Sequence, residues 1–429
     1  MIRKVLRNRK NPFIKIVKEW KADESGESAF YAPGVLIQVK DGKGILREVF
    51  GESGKKTYLS LMFGDEPLFG FQGEEYFCPT CEKIMRSGYG LEQEFHLQMD
   101  KINQSREKIP LMQAVLDIFP LMGLLPSGFY AIVDTKLHPT DGNGHFFWDI
   151  PNNTDDDGQF YRGTCLYQFD DFKWGSLRPY FTVATQPKHK CNMQRVEYYR
   201  HHPGCRVVAY YMDGYMTALL DGHHKAFAAA MDNTDVNALV IIPGYLYTDR
   251  QRNVTGCRAA DLKFSIEDLG INQNDIDELK NSVMSEKISE KEVVRIQESM
   301  KRNNRLYDFP VPVKNIADNY PSVEEQAYID RAGIITDALL NDILCKKVQY
   351  SEEEVIVLMK GLSGLKHPRF WEMGEFFCGQ CQTGKAKYLI LKKMMELPKN
   401  EEREQFFIDK MVELEQDYPD IKNLILDYL

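Results

Sequence analysis

The sequence has no apolar run long enough to cross a lipid bilayer. Its longest candidate, residues 109–125, is interrupted by Pro110, Pro120 and Gly123 and by one charged side chain, Asp117, whereas a membrane-spanning helix needs about 18 or more consecutive apolar residues. The basic residues near the start are followed by no apolar stretch, so the pattern of a secretory signal peptide is also missing. We therefore expect a cytoplasmic protein that does not contact a membrane.

Excess positive charge and a regular set of cysteines are missing as well. Lysine and arginine together number 54 against 63 aspartates and glutamates, which gives a formal net charge of −9. Because proteins bind nucleic acids largely by neutralising phosphates, this balance makes a nucleic acid the less favoured partner. The nine cysteines are an odd number spread along the chain, which fits a reducing compartment better than a disulfide framework.

The chain is long enough, at 429 residues, for two or three domains. Residues 1–125 contain strand-like runs followed by a helical pattern, and residues 126–260 consist mainly of short strands. A charged, helix-prone linker follows at 261–321. Residues 322–429 carry only helical patterns with apolar stripes, which would pack as paired antiparallel helices and offer a surface to a protein partner. The predicted fold class is α+β, with a mixed core, a β-rich N-terminal region and an all-helical C-terminal domain.

One stretch combines several features that suit an anion. In "YYMDGYMTALLDGHHKAFAAAM", residues 210–231, a strand breaks at an Asp-Gly pair and becomes an alanine-rich helix. Glycine permits a close backbone approach, and the first turn of a helix has free N–H groups at the positive end of the helix dipole. His223 and His224 would add hydrogen-bond donors, and Lys225 a full positive charge. We expect a phosphate group here; the alternative is a hairpin and helix whose two histidines only cap the helix.

The order of strand, Asp-Gly turn, strand, "DGHHKAFAAA" helix and "NALVIIP" strand resembles the ParB/sulfiredoxin-like superfamily over about residues 195–245. In that superfamily a Gly-x-x-Arg-type box at the start of a helix binds nucleotide phosphates. Gly222 matches the box glycine, and Lys225 stands in place of the arginine, without its bidentate fork. His223 replaces the reactive cysteine of sulfiredoxins, so sulfinic-acid repair is not expected. Because the superfamily includes CTP-binding partitioning proteins and kinases of free serine, the resemblance implies a nucleoside triphosphate or diphosphate as the ligand.

The resemblance also implies further contacts and a catalytic group. The side chains expected to converge beside the box are Arg178, Gln186, Asn192 and Arg195. Phosphoryl transfer needs a base near the acceptor hydroxyl and usually Mg²⁺. The candidate catalytic residues are Asp221, Glu197, His223 and His224. An acidic loop with Asp155, Asp156 and Asp157 would suit a hard cation, but a solvated loop explains it equally.

Two CxxC pairs carry a separate signal. Cys78 and Cys81 form one pair and Cys378 and Cys381 the other, each preceded by an acidic and two aromatic residues. Four thiolates at this spacing would make a closed tetrahedral zinc site with a structural role. Zinc held by the first pair with other ligands, separate redox pairs and ordinary buried cysteines are the alternatives.

Three functions fit these observations. The first is a nucleotide-binding enzyme, a phosphotransferase or nucleotide hydrolase that acts on a small molecule. The second is a ParB-like nucleotide-dependent DNA-binding or nuclease protein, and the third is a non-catalytic protein-interaction module. The acidic composition favours the enzyme, because residues 262–306, where a DNA-reading helix would be sought, are interleaved with acidic side chains. Cys205, close after His201 and His202, is open to interpretation as a Cys–His nucleophile pair or as a turn before a strand.

Overall fold

The computed structural model describes residues 11–22, 32–53, 56–72, 76–77, 109–150, 178–186, 188–251, 253–271, 276, 285–302, 315–381, 383–414 and 418–429. The strands are β1 (Phe13–Trp20), β2 (Gly34–Lys40), β3 (Leu46–Ser53), β4 (Lys56–Phe63), β5 (Glu66–Gln72), β6 (Tyr76–Phe77), β7 (Gly128–Leu137), β8 (Phe181–Ala184), β9 (Val207–Asp213), β10 (Met216–Asp221), β11 (Val236–Thr248), β12 (Val254–Ala259), β13 (Leu262–Ser265) and β14 (Ser285–Lys287).

The helices of the first part of the chain are α1 (Leu111–Asp117), α2 (Phe119–Met122), α3 (Met193–Arg200), α4 (His223–Met231), α5 (Ile266–Leu269) and α6 (Glu290–Arg302). Those of the second part are α7 (Val323–Ala332), α8 (Asp337–Leu344), α9 (Glu352–Gly364), α10 (Phe370–Gln380), α11 (Gly384–Met394), α12 (Glu401–Leu414) and α13 (Pro419–Tyr428). Strands thus dominate the first part of the described chain and helices the second, which confirms the α+β class.

A large mixed sheet forms the centre of the first part. Its strand order is β1-β2-β7-β11-β9-β10-β8, with β12 pairing with β11 and β13 with β12. β11 runs antiparallel to β7 but parallel to β9, while β10 runs antiparallel to β9 and parallel to β8. It follows that β7, β8 and β10 all point in the same direction.

A second, smaller sheet has the order β14-β3-β4-β5-β6. The sequence predicts a charged helical linker at 261–321, but within it Ser285–Lys287 pair in parallel with β3 as β14. Helix α6 then lays the buried Val293 and Ile296 against Val49 and Met62 of this sheet. Val293 and Ile296 therefore cover the small sheet, while the charged side chains of Glu290, Lys291, Glu292 and Arg295 are exposed.

The described chain divides into two compact units, Met1–Tyr320 and Pro321–Leu429. The second unit has a core of its own, which includes Leu340, Met373, Leu391 and Phe407. Two of its helices, α7 and α9, begin with a capping box in which a serine and a glutamate exchange side-chain and backbone hydrogen bonds. Of the helices that the structure describes, none combines the length and apolar character that a bilayer crossing requires.

Candidate functional site

The candidate site lies at one edge of the large sheet. The segments that follow β8 and β10 emerge at the same edge, because these two neighbouring strands are parallel. The segment that follows β7 begins beside Phe181 at the start of β8 and reaches the end of that strand, where the Phe147 carbonyl accepts a hydrogen bond from Ala184 N–H. These segments are residues 138–150, residues 185–192 and the start of α4. In open sheets of mixed α and β structure, ligands commonly bind where the carboxyl ends of parallel strands meet.

Helix α4 begins at Gly222, whose backbone adopts the left-handed conformation with φ of 97°. A Cβ atom at this position would come within 2.5 Å of Val207 Cγ1, so the turn requires glycine. The first helical hydrogen bond runs from Ala226 N–H to the Gly222 carbonyl. The three preceding N–H groups, of residues 223–225, meet no acceptor among the described residues, which leaves donors of the kind that bind anions.

The rings of His223 and His224 both accept hydrogen bonds from backbone N–H groups. The Nε2 atom of His223 accepts hydrogen bonds from the backbone N–H groups of Thr185 and Gln186, at 3.2 and 3.1 Å. The Nε2 atom of His224 accepts one from Asn192, at 3.0 Å. Burial lowers the pKa of His223 to about 3 and that of His224 to about 4. Both rings are thus neutral and use Nε2 to hold the segment after β8 against α4. That they donate to an anion or act in catalysis stays a prediction, which these contacts do not support.

Lys225 is almost completely buried, with 4% of its surface exposed. Its Nζ atom donates a hydrogen bond of 2.8 Å to the Arg206 carbonyl and lies 5.7 Å from the centre of the Tyr199 ring. No carboxylate among the described residues lies within 4 Å of this ammonium group. Burial lowers its pKa, against the opposing effect of Asp221.

Lys225 also lines a small cleft between α3, α4 and the start of β11. The cavity volume is about 60 Å³, which is room for a few water molecules or one small polar group and not for a whole nucleotide. Other residues that line it include Tyr199, Cys205, Asp232, Asp235 and Asn237.

Asp221 is the second buried charge at the start of α4. It is 5% exposed, and its Oδ2 atom has no hydrogen-bond partner among the described residues. Burial raises its pKa, while Lys225 and a hydrogen bond from the Gly222 backbone act in the opposite direction. Asp221 and Lys225 therefore influence each other electrostatically without forming an ion pair.

The side chains expected to converge on the box divide into two groups. Arg195 lies on an exposed turn of α3. Its charge lowers the pKa of both Asp221 and His224, so it lies near the start of α4. Asn192 caps α3 by accepting hydrogen bonds from the backbone of residues 194 and 195, and Gln186 contributes its backbone to the contact with α4.

Arg178 and Glu197 do not belong to the site. Arg178 precedes β8, whereas the box follows the parallel strand β10, so the two lie at opposite ends of this strand pair. Its guanidinium instead pairs with Asp261 at 3.3 Å. Glu197 is half exposed and pairs with Arg200 on the surface of α3 at 3.1 Å. That Arg178 binds a ligand and that Glu197 acts as a base stay predictions, which these ion pairs do not support.

One further pair of titratable side chains near this edge is not evident from the sequence pattern. In the loop after β7, the fully buried Asp141 accepts a hydrogen bond of 2.6 Å from the Nδ1 atom of His145. The contact raises the pKa of His145. The string "TDGNGH" resembles an ordinary turn, and only the strand directions reveal that this loop lies beside the start of α4.

The structure describes only one of the two CxxC pairs. Cys78, Cys81 and the loop with Asp155, Asp156 and Asp157 lie outside the described residues, so shared zinc stays a prediction. Cys378 and Cys381 lie in the core of the helical unit, where burial raises their pKa values to about 12 and about 11. Within the described ranges, no group of three or more potential ligands could hold a metal ion.

The pairing of Cys205 with a histidine is not formed. Its Sγ atom lies 3.6 Å from the backbone carbonyl of His202, while the His202 ring stacks on Tyr198. The Nδ1 atom of His201 lies 2.9 Å from the Glu197 carbonyl. The interpretation of Cys205 as part of a turn before β9 fits these contacts.

Comparisons with protein-family models, with curated proteins and with solved structures found no match for this chain. Membership in the ParB/sulfiredoxin-like superfamily stays a prediction that rests on the sequence from residue 195 to 245.

Proposed function

We propose that the protein is an enzyme that binds the phosphate groups of a nucleoside triphosphate or diphosphate with Mg²⁺ at the start of α4. It would transfer a phosphoryl group to a small molecule or to water. The observation that carries the proposal is the start of this helix, where the N–H groups of residues 223–225 meet no acceptor in the described chain. Such donors, together with the positive end of the helix dipole, favour an anion.

Two cations strengthen the case for an anionic ligand. The Arg195 guanidinium is exposed, has no carboxylate within 4 Å in the described chain, and acts on the buried groups at the start of α4. The Lys225 ammonium is buried with one neutral acceptor for its three protons. Burying a charge without a counter-ion is costly, and a ligand phosphate near both groups would offset part of that cost.

The cleft reaches α4 at Lys225, Ala228, Ala229 and Asp232, and its lining does not include Gly222, His223 or His224. A cavity of about 60 Å³ does not hold a base, a sugar and phosphates together. We therefore propose that the residues around α4 contact only the phosphate groups. The nucleotide base would bind farther out along the same edge of the sheet.

Nucleotide titration of the purified protein tests this function. We expect ATP, ADP, CTP or GTP with Mg²⁺ to release or absorb heat in calorimetry. The variants Arg195→Gln and Lys225→Met should each weaken binding by about 1.5–3 kcal/mol, because each removes a charge-assisted contact. Met replaces the lysine stem without its charge, so the packing around residue 225 is largely kept.

The matched control is Lys263→Met, which removes one exposed charge from β13 in the same unit. Its affinity should equal that of the wild type. The proposal fails if the wild type binds none of the four nucleotides, or if both site variants bind as tightly as the control.

A further inference from the structure

The contact between Asp141 and His145 has features that a turn alone does not need. One carboxylate oxygen of Asp141 accepts the backbone N–H groups of Asn143 and His145, at 2.8 and 2.9 Å, and this already holds the loop. The other oxygen is used for the imidazole, at 2.6 Å from Nδ1. Because a carboxylate only accepts hydrogen bonds, Nδ1 carries the proton, and Nε2 is left as the basic atom of the neutral ring.

The imidazole of His145 is accessible, although the carboxylate that orients it is not. Asp141 is completely buried, whereas the side chain of His145 is 42% exposed. A half-exposed ring contributes little to the core, so packing does not explain its fixed orientation. A buried acid that holds a histidine in one tautomer, with the second nitrogen open to a ligand, is an arrangement that suits proton transfer.

The loop that carries His145 is tied to the start of α4. Phe146 packs against Phe227 of that helix, with ring centres 4.8 Å apart. Trp148 lies 5.5 Å from the His223 ring and donates a hydrogen bond of 2.7 Å to the Gln186 carbonyl. His145 is therefore held on the same framework as the proposed phosphate site.

Three charged side chains influence the imidazole of His145. Asp141 faces it from its own loop, and Asp149 acts on it from the end of the same loop. Lys188, in the 3₁₀ turn after β8, forms an ion pair with Asp149 and so moderates its charge. Together these groups stabilise the protonated form of the His145 imidazole. That is the form in which a base is left after it has accepted a proton.

We propose that His145 is the general base of the phosphoryl transfer and that Asp141 is its positioning residue. The inference rests on the proposed function. In the reaction, the acceptor hydroxyl or water oxygen forms a bond to the terminal phosphorus of the nucleoside triphosphate, and the bond from phosphorus to the bridging oxygen breaks. The electron pair of that bond stays with the departing diphosphate, and the proton of the acceptor moves to His145 Nε2, from which it passes to solvent.

Histidine NMR with ATP and Mg²⁺ tests this assignment directly. His145→Gln identifies the ring resonance of His145 in the spectrum. We expect the titration of that resonance to move when ATP binds, and to move toward lower pH in Asp141→Asn. Asparagine still accepts the two backbone N–H groups, so the loop is kept while the negative charge is removed.

Turnover provides the second measurement. His145→Gln should lower the rate of ATP consumption by about 10²-fold or more with little change in ATP affinity. Asp141→Asn should displace the acidic limb of the pH–rate profile, which a purely structural role would leave in place. His201→Gln, which alters a histidine that is 69% exposed on α3, is the control and should leave the affinity and rate unchanged.

The outcomes separate this inference from the function on which it rests. A wild-type protein that binds no nucleotide removes both proposals. A wild type that binds ATP without moving the His145 titration removes the base assignment alone. The base assignment is also wrong if the His145→Gln variant consumes ATP at a rate within about threefold of the wild-type rate.

Discussion

At the scale of single residues, His223 and His224 show how a charge-bearing side chain can serve as a neutral structural acceptor. Each ring accepts backbone N–H groups from the segment after β8, and protonation would turn the accepting nitrogen into a donor. A lowered pKa means that the unfolded chain binds protons more readily than the folded one. The stability that these rings contribute is therefore present above the unfolded pKa of about 6.5 and is lost as the pH falls toward 4 and 3.

We expect the free energy of unfolding of the first unit to fall between pH 7 and pH 5. At pH 5 each ring lies about 1.5 units below its unfolded pKa, which corresponds to roughly 2 kcal/mol per ring. His145 acts in the opposite direction, because its raised pKa adds stability that is lost as the pH rises. Urea unfolding at both pH values measures the difference. In His224→Gln the amide oxygen accepts the Asn192 N–H without titrating, so an undiminished pH dependence in that variant would contradict the assignment.

At the scale of elements, the sequence located the start of α4 but not the role of each side chain in it. The strand, the glycine and the helix lie where the pattern of residues 215–231 predicts them, because these signals are local. The direction of the histidine rings depends on residues 185–192, more than 30 positions away, which come close only through the parallel pairing of β8 and β10. The local sequence does not reveal Asp141 and His145 for the same reason. Their loop comes close to α4 only through the order and direction of the strands.

The tight turn at Gly222 yields a test of how closely α4 packs on β9. Gly222→Ala should destabilise the first unit by about 1–3 kcal/mol through its left-handed backbone alone. The substitution should lower the free energy of unfolding further, because the new Cβ would come within 2.5 Å of Val207. Gly270→Ala is the matched control: its φ is 55°, yet no atom lies within 4 Å of the added Cβ. Equal losses of unfolding free energy in the two variants would show that Val207 does not crowd the turn.

At the scale of the whole molecule, the candidate site and the helical unit belong to different compact units of the chain. The candidate site is built from the mixed sheet and the segments at its edge, all within Met1–Tyr320. Hydrophobic periodicity predicted the all-helical nature of the remainder, because amphipathic helices of 8–14 residues leave a strong local pattern. It left open whether Cys378 and Cys381 bind zinc or lie in the core of that unit, since a CxxC pair has the same spacing whether it binds zinc or packs against apolar side chains.

The helical unit should fold without the rest of the chain. Residues 321–429 enclose their own core, in which Leu340, Leu391 and Phe407 are completely buried, and α7 and α9 each begin with a capping box. We expect the isolated segment to show a helical circular dichroism spectrum and a single cooperative unfolding transition. Phe407→Ala should lower its unfolding free energy by about 3–5 kcal/mol, because it leaves a cavity in this core. Within the full chain the same substitution should shift the unfolding of the helical unit and leave nucleotide binding unchanged. A segment without cooperative unfolding would mean that its core is completed by the preceding residues.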